Sequence, residues 1–283
     1  MKFKIPLINI MKNNVALNQI PGEDVDFLKI NLTDLPYFRA LLRAVESRFY
    51  QILNFESPVL DLGCGDGHFA AVTFKEYLLT GIDFKWSSLL DAQKYDCFDL
   101  LLNSKGGGLP FKDQEFNSCI SNSVLEHIPD VDEVLREISR VLKAGAKFIF
   151  CVPNNNFTKY LSIAEFFERI KSPSASMSYR RFFNRISRHY HCDPYEVWRE
   201  RLDKVGLKID DHWDYFSPSA LKCLEWGHYL GLPYWISKKL FGTWVIWPQF
   251  NQTVIYSWIN KFYFENPRHP EGAYSFYVCQ KIK

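Results

Sequence analysis

The run Val59-Leu60-Asp61-Leu62-Gly63-Cys64-Gly65-Asp66-Gly67 constrains this 283-residue chain more than any other segment. A short apolar strand ends in three alternating glycines, and a helix-compatible stretch follows. Glycine is wanted where backbone turns tightly or approaches a ligand closely, because a Cβ would collide there. The helix N-terminus beyond it offers free N–H groups and partial positive charge, which suit a carboxylate. Asp61, two residues before the first glycine, is placed to face a ligand's ammonium group. The next strand, Thr80-Gly81-Ile82-Asp83-Phe84, ends in an acid about twenty residues beyond the glycines, where a carboxylate can accept both hydroxyls of a ribose. A nicotinamide dinucleotide would want its third glycine at position 68, which is His68 here. It would also give no reason for an acid at Asp61.

From Pro58 the chain alternates strand and helix patterns. Strands are expected at 58–62, 77–83, 97–103, 116–121 and 146–152, with helices at 67–76, 86–95 and 131–142. Val131, Val134, Leu135, Ile138 and Leu142 share one face of the last of these. A sixth strand is expected at 207–213, after a helix at 193–205 with an Asp193 cap, and a final strand at 273–280. This order predicts a Rossmann-like, doubly wound α/β fold. Its seven-stranded, mostly parallel sheet carries helical insertions that form a lid, with ligands at the carboxyl ends of the strands. Four regions follow: a helical lead-in (1–57), a nucleotide-binding core (58–156), a lid insertion (157–192), and a C-terminal part (193–283) holding the last strands and an aromatic-rich second insertion. Within the lid, Ser172-Pro173-Ser174-Ala175-Ser176 reads as a loop.

Several short motifs then fall in a distinctive order: Asp61 to Gly67, Gly81-Ile82-Asp83, Leu109-Pro110-Phe111, Phe116, Leu125-Glu126-His127 and Arg140-Val141-Leu142-Lys143. In this order they resemble the class I S-adenosylmethionine-dependent methyltransferases, especially the broad group that modifies quinones and sterols. The resemblance covers roughly residues 56–153. It implies S-adenosylmethionine as cofactor and methyl transfer to a small molecule as activity. It also implies that Gly63 and Gly65 lie against the methionine moiety, with Gly67 in the same turn. Asp83 would hold the ribose, Phe84 would pack on the adenine, and Ser121 and Asn122 would line the methionine side. An aspartate usual before Leu-Pro-Phe is replaced by Asn103-Ser104-Lys105-Gly106, so adenine recognition is expected from Ser104, Asn103 or backbone. That replacement also motivates the alternative of a non-catalytic protein that only binds the cofactor.

The acceptor end is less defined. A sulfonium methyl is already activated, so a general base is needed only for a protonated nucleophile. His127 is the candidate base. Arg181 and Arg185, with Arg188 on the same expected helical face, are candidates for an anionic acceptor group. His189 and His191 are candidates to face the substrate. The cluster His189-Tyr190-His191-Cys192-Asp193 matches no firm zinc spacing, so no metal is expected. A net charge of +2 gives no strong nucleic-acid signal, although an arginine-rich lid leaves RNA or protein as an alternative acceptor. Seven cysteines without a CxxC pair argue against a disulfide or zinc scaffold, and the expected location is cytoplasmic. The apolar stretch Ile5–Ile10 is too short for a signal peptide, and no apolar run approaches the ~18 residues of a transmembrane span. The Trp-rich second insertion, with Lys238 and Lys239, leaves weak peripheral membrane contact and a lipid-linked acceptor as readings.

Overall fold

A computed structural model describes residues 25–282, Glu76 excepted. The start of the lead-in and the Ile5–Ile10 stretch therefore lie outside the described residues.

Seven strands form one sheet: β1 (Val59–Leu62), β2 (Leu79–Asp83), β3 (Phe98–Asn103), β4 (Phe116–Asn122), β5 (Leu142–Pro153), β6 (Leu207–Tyr215) and β7 (Tyr274–Lys281). Their order is β3-β2-β1-β4-β5-β7-β6. The first five strands run parallel, and β7 pairs antiparallel with both β5 and β6. The order reverses beside β1, between β2 and β4, which is where ligands enter sheets of this kind.

Successive residues of a strand point to opposite faces, and the core divides accordingly. Val59, Ile149 and Cys151 join one apolar cluster, while Leu60, Phe148 and Phe150 join the other. The first cluster is covered by α1 (Phe27–Asp34), α2 (Tyr37–Gln51), α3 (His68–Thr73) and later helices. The second packs on α5 (Val131–Val141) and α9 (Tyr195–Lys204), with Trp198 and Leu202 fully buried. The helix α4 (Trp86–Ala92) follows β2.

The motif order has a physical basis in this packing. Arg140 on α5 donates to the carbonyls of Leu109 and Phe111 (2.9 and 2.8 Å) and to Asp113 (2.7 Å). Glu137 accepts from the Leu109 amide at 2.6 Å. One arginine thus fastens the loop before β4 to the helix after it.

The insertion after β5 carries three helices, α6 (Asn156–Lys159), α7 (Ser162–Arg169) and α8 (Pro173–Ser187). The expected loop at 172–176 is instead the start of α8. Pro173 takes the first helical position, where its fixed φ and missing N–H cost nothing. Arg188 lies outside the helix, in the left-handed region at φ 58°, so it does not share a helical face with Arg181 and Arg185. The Asp193 cap is also corrected. Pro194 stands at the N-cap of α9, and Asp193 instead pairs with Arg201 and His191. The second insertion forms α10 (Pro218–Leu230), α11 (Leu232–Phe241) and α12 (Pro248–Phe250), the last continuing through a π-helical turn into α13 (Tyr256–Tyr263).

Candidate functional site

A cavity of about 620 Å³ opens at the carboxyl ends of β1, β2 and β4. Eight of the residues singled out in the sequence line it: Asp61, Gly63, Gly65, Asp83, Phe84, Ser104, Asn122 and His127.

The glycine turn builds one wall. Gly63 (φ 81°) and Gly65 (φ 58°) adopt backbone angles that side chains resist. A Cβ on Gly63 would sit 2.5 Å from Val124, whereas one on Gly65 would meet nothing within 4 Å. Gly65 therefore exposes bare backbone to the cavity. Its amide donates to Asp83 Oδ2 (3.0 Å), and the Lys85 amide donates to Asp83 Oδ1 (2.7 Å). These bonds aim the Asp83 carboxylate and leave each oxygen a lone pair for a ligand hydroxyl.

Asp61 is 4% exposed. Burial, and then the nearby Asp83 charge, push its pKa up to about 7, with Arg43 pulling the other way. A carboxyl in this state is stabilised in its ionised form by a ligand ammonium. Arg43 itself lines the cavity and lies 5.7 Å from the Phe69 ring centroid. Burial alone would raise Asp66, yet Arg43 and Arg39 bring it below its ordinary value. Phe84, the expected adenine partner, is 74% exposed on the cavity wall, a large apolar surface suited to a flat ring. Ser104 lines the same end with Lys105, Gly106 and Gly107, whereas the Asn103 amide is used on the Asp83 carbonyl (3.0 Å).

Other sequence-chosen residues sit elsewhere. Gly67 is a packing glycine: its Cβ would lie 2.9 Å from Ala92 Cα on α4. Ser121 is fully buried, and its hydroxyl donates to the Leu62 carbonyl (3.1 Å), tying β4 to β1. Arg181 and Arg185 are exposed on α8 and are not among the cavity-lining residues. His191 points its Nε2 at the carbonyls of Ile128 (3.0 Å) and Pro129 (3.2 Å), and Asp193 raises its pKa. His189 stacks near His127, with ring centroids 5.3 Å apart, and its pKa is pushed down to about 3, first by burial and then by His127 and His228. Burial likewise lowers His127, against the pull of its bond to the Arg188 carbonyl (3.0 Å).

Two groups escaped sequence reading because their partners are distant in the chain. Glu46 on α2 is wholly buried and accepts from Asn122 (2.7 Å), Ser123 (3.3 Å) and Tyr215 (2.7 Å). It thereby fixes the cavity floor after β4, and burial raises its pKa despite these bonds. Arg43 carried no motif, since an amphipathic helix bearing an arginine is unremarkable in sequence.

Comparison with known proteins agrees with this geometry. A family profile described as a methyltransferase domain matches residues 60–150. The chain is 30% identical over 115 residues to a ubiquinone biosynthesis O-methyltransferase of Coxiella burnetii (36% of this chain, 46% of the relative). It is 31% identical over 147 residues to a sarcosine/dimethylglycine N-methyltransferase of Halorhodospira halochloris (47% and 51%). The chain thus spans about half the length of these relatives. Its fold matches a geranyl diphosphate C-methyltransferase from Streptomyces coelicolor A3(2), with a TM-score of 0.53 at 12% identity, covering 87% of this chain and 82% of that one. The glycine turn, the strand-end aspartate and the sheet order coincide with the segment, residues 60–150, that matches the methyltransferase-domain profile.

Proposed function

We propose that the chain transfers the methyl group of S-adenosylmethionine to a small-molecule acceptor bound beside His127. The observation that carries this reading is the cavity itself, where Asp61, Gly63, Gly65 and Asp83 meet at the switch point of the sheet. The cofactor, when bound, supplies a methyl on a sulfonium with a neutral thioether as leaving group. Asp83 holds the ribose hydroxyls, Phe84 covers the adenine, and Asp61 and the Gly63–Gly65 backbone receive the amino-acid end. Asn122, held by Glu46, and His127 stand on the β4 side, where an acceptor would align with the methyl. The Arg188 carbonyl can only accept, so His127 carries its proton on Nδ1 and offers the Nε2 lone pair.

Of the finer acceptor readings, the apolar or lipid-linked one has more support. The candidate anion-binding residues Arg181 and Arg185 lie away from the cavity lining, and that lining is rich in acids: Asp61, Asp83, Asp130 and Glu133 against Arg43 and Lys105. Exposed Trp235, Leu240, Phe241 and Trp247, close in sequence to Lys238 and Lys239, suit weak peripheral contact with a lipid surface. Among the described residues no helix is long and apolar enough to cross a membrane.

Incubating the chain with methyl-labelled cofactor and whole-cell extract, followed by separation into solvent-extractable, aqueous and macromolecular fractions, tests the proposal. Label in a solvent-extractable small molecule is expected. Label confined to RNA or protein refutes the small-molecule reading. Cofactor binding with no label anywhere favours a non-catalytic binder.

A further inference from the structure

Beside the cavity, Glu126, His127 and His189 bring one potential ligand atom each to within 4.8 Å of one another. Glu126 and His127 follow β4, and His189 arrives from the far end of the 157–192 insertion, 62 positions later. Local spacing therefore could not announce the group.

Each member is prepared as a ligand. Glu126 is 1% exposed, and its Oε2 is buried with no hydrogen-bond partner. A buried carboxylate oxygen left unpaired is costly and calls for a partner. His127 donates Nδ1–H to the Arg188 carbonyl, leaving the Nε2 lone pair 3.8 Å from Glu126 Oε1. Metal-bound histidines are characteristically oriented this way, by a carbonyl on the other ring nitrogen. His189 is partly buried and has only a weak neighbour at Nδ1, Cys192 Sγ at 3.6 Å. The backbone holds the two chain segments together: the amides of Tyr190 and His191 both donate to the Glu126 carbonyl, at 2.7 and 3.3 Å.

We propose that Glu126, His127 and His189 bind a divalent transition-metal cation at the edge of the cavity, and that this cation takes a hydroxyl oxygen of the acceptor. Two imidazoles and one carboxylate suit zinc, manganese, iron or cobalt and leave coordination positions open. His127 alone of the three lines the cavity, so the open positions have a route to it. One carboxylate against a doubly charged cation leaves net positive charge, which favours an oxyanion. The second half of the proposal rests on the methyl-transfer reading. There the acceptor O–H releases its proton to water, and the oxygen forms a bond to the methyl carbon. The carbon–sulfur bond breaks with its electron pair going to sulfur, giving a methyl ether and a neutral thioether.

The test uses the full chain, stripped with chelator and titrated with Co²⁺ or Zn²⁺ alone, without cofactor. One equivalent should bind, with Co²⁺ giving visible absorption bands. Glu126→Gln, close to isosteric, and His189→Gln should each weaken binding at least tenfold while melting temperature and S-adenosylhomocysteine affinity stay at wild-type values. Should His189→Gln not fold, Glu126→Gln alone decides. Equal cation affinity in wild type and variant, or no stoichiometric binding, overturns the site. Methyl transfer undiminished in chelator overturns the cation's role in the reaction. A chain that binds the cation but transfers no methyl keeps the site and refutes the methyl-transfer reading instead.

Discussion

Asp61 gives the cofactor end its sharpest test. Burial and the adjacent Asp83 charge push its pKa up to about 7. In the proposed binding mode a cofactor ammonium supplies the positive partner, so that bound state requires the carboxylate ionised. Below pH 7 the free protein holds Asp61 protonated, and binding there must release a proton. Affinity therefore rises with pH and flattens above it. A single group of that pKa is about 9% ionised at pH 6 and about 91% at pH 8, which makes Kd roughly tenfold weaker at pH 6. Calorimetry with S-adenosylhomocysteine from pH 5.5 to 8.5, in two buffers of different ionisation heat, measures both the slope and the proton. Asp61→Asn should lose the slope. The folded carboxyl also titrates above its unfolded value of about 3.9. Between about pH 4 and 7 the folded state thus binds more protons, and this group makes the free protein less stable as pH rises. Wild-type affinity independent of pH, or the same slope in Asp61→Asn, would refute the assignment.

Three further outcomes are expected. Asp83→Ala should weaken cofactor binding by about 1.5–3 kcal/mol, the usual range for charge-assisted bonds, read by the same calorimetry on a variant whose fold is checked by circular dichroism. Gly65→Val should block the cofactor while leaving the chain folded, because the side chain enters open cavity space and the branched residue pays roughly 1–3 kcal/mol of strain at positive φ; normal binding would show that the turn does not touch the cofactor. Glu46→Ala should cost on the order of 2–4 kcal/mol in urea unfolding, since Asn122 and Tyr215 lose a buried acceptor, and a loss below about 1 kcal/mol would mean that water replaces it.

Much of the sheet was legible because buried parallel strands write themselves as short apolar runs and because glycine and aspartate at strand ends answer to local geometry. Asp61, Gly63, Gly65, Asp83 and Phe84 all lie within one β1-α3-β2 unit, whose paired strands end side by side, so a fixed sequence spacing marks a fixed spatial one. Gly67 shows the limit: the same residue type serves close helix packing on Ala92 rather than a ligand. Ser121 illustrates alternation along a strand, since it faces the sheet interior while Asn122 faces the cavity. The serine-rich start of α8 misled because serine and proline mark helix starts as well as loops. Glu46, Arg43 and the trio of Glu126, His127 and His189 depend on contacts across 60 or more residues, or on a helix face of an ordinary amphipathic kind. No period or spacing encodes such meetings.

The 157–192 insertion is expected from sequence to form a lid, and its C-terminal end is hydrogen-bonded to the segment after β4. Arg188 gives its carbonyl to His127, Tyr190 and His191 give their amides to the Glu126 carbonyl, and His191 Nε2 reaches the carbonyls of Ile128 and Pro129. Residues 188–191 are therefore fastened, mostly by backbone, to the segment that carries the candidate reactive histidine. Near the other end, Arg180 donates to the carbonyls of Thr158 (2.9 Å) and Lys159 (3.2 Å) and pairs with Glu168, holding α8 against α6 and α7. Opening of the insertion must then break either this exposed arginine knot or the clamp at 188–191. The knot is the weaker, because its ion pair is solvent-exposed and such pairs contribute little. Hydrogen exchange on the free protein should accordingly show Tyr190 and His191 amides protected without any ligand, while α7 exchanges faster. Rapid exchange at Tyr190 and His191 that slows only when cofactor and acceptor are both present would restore the whole insertion as a lid and remove the clamp as the element that orients His127.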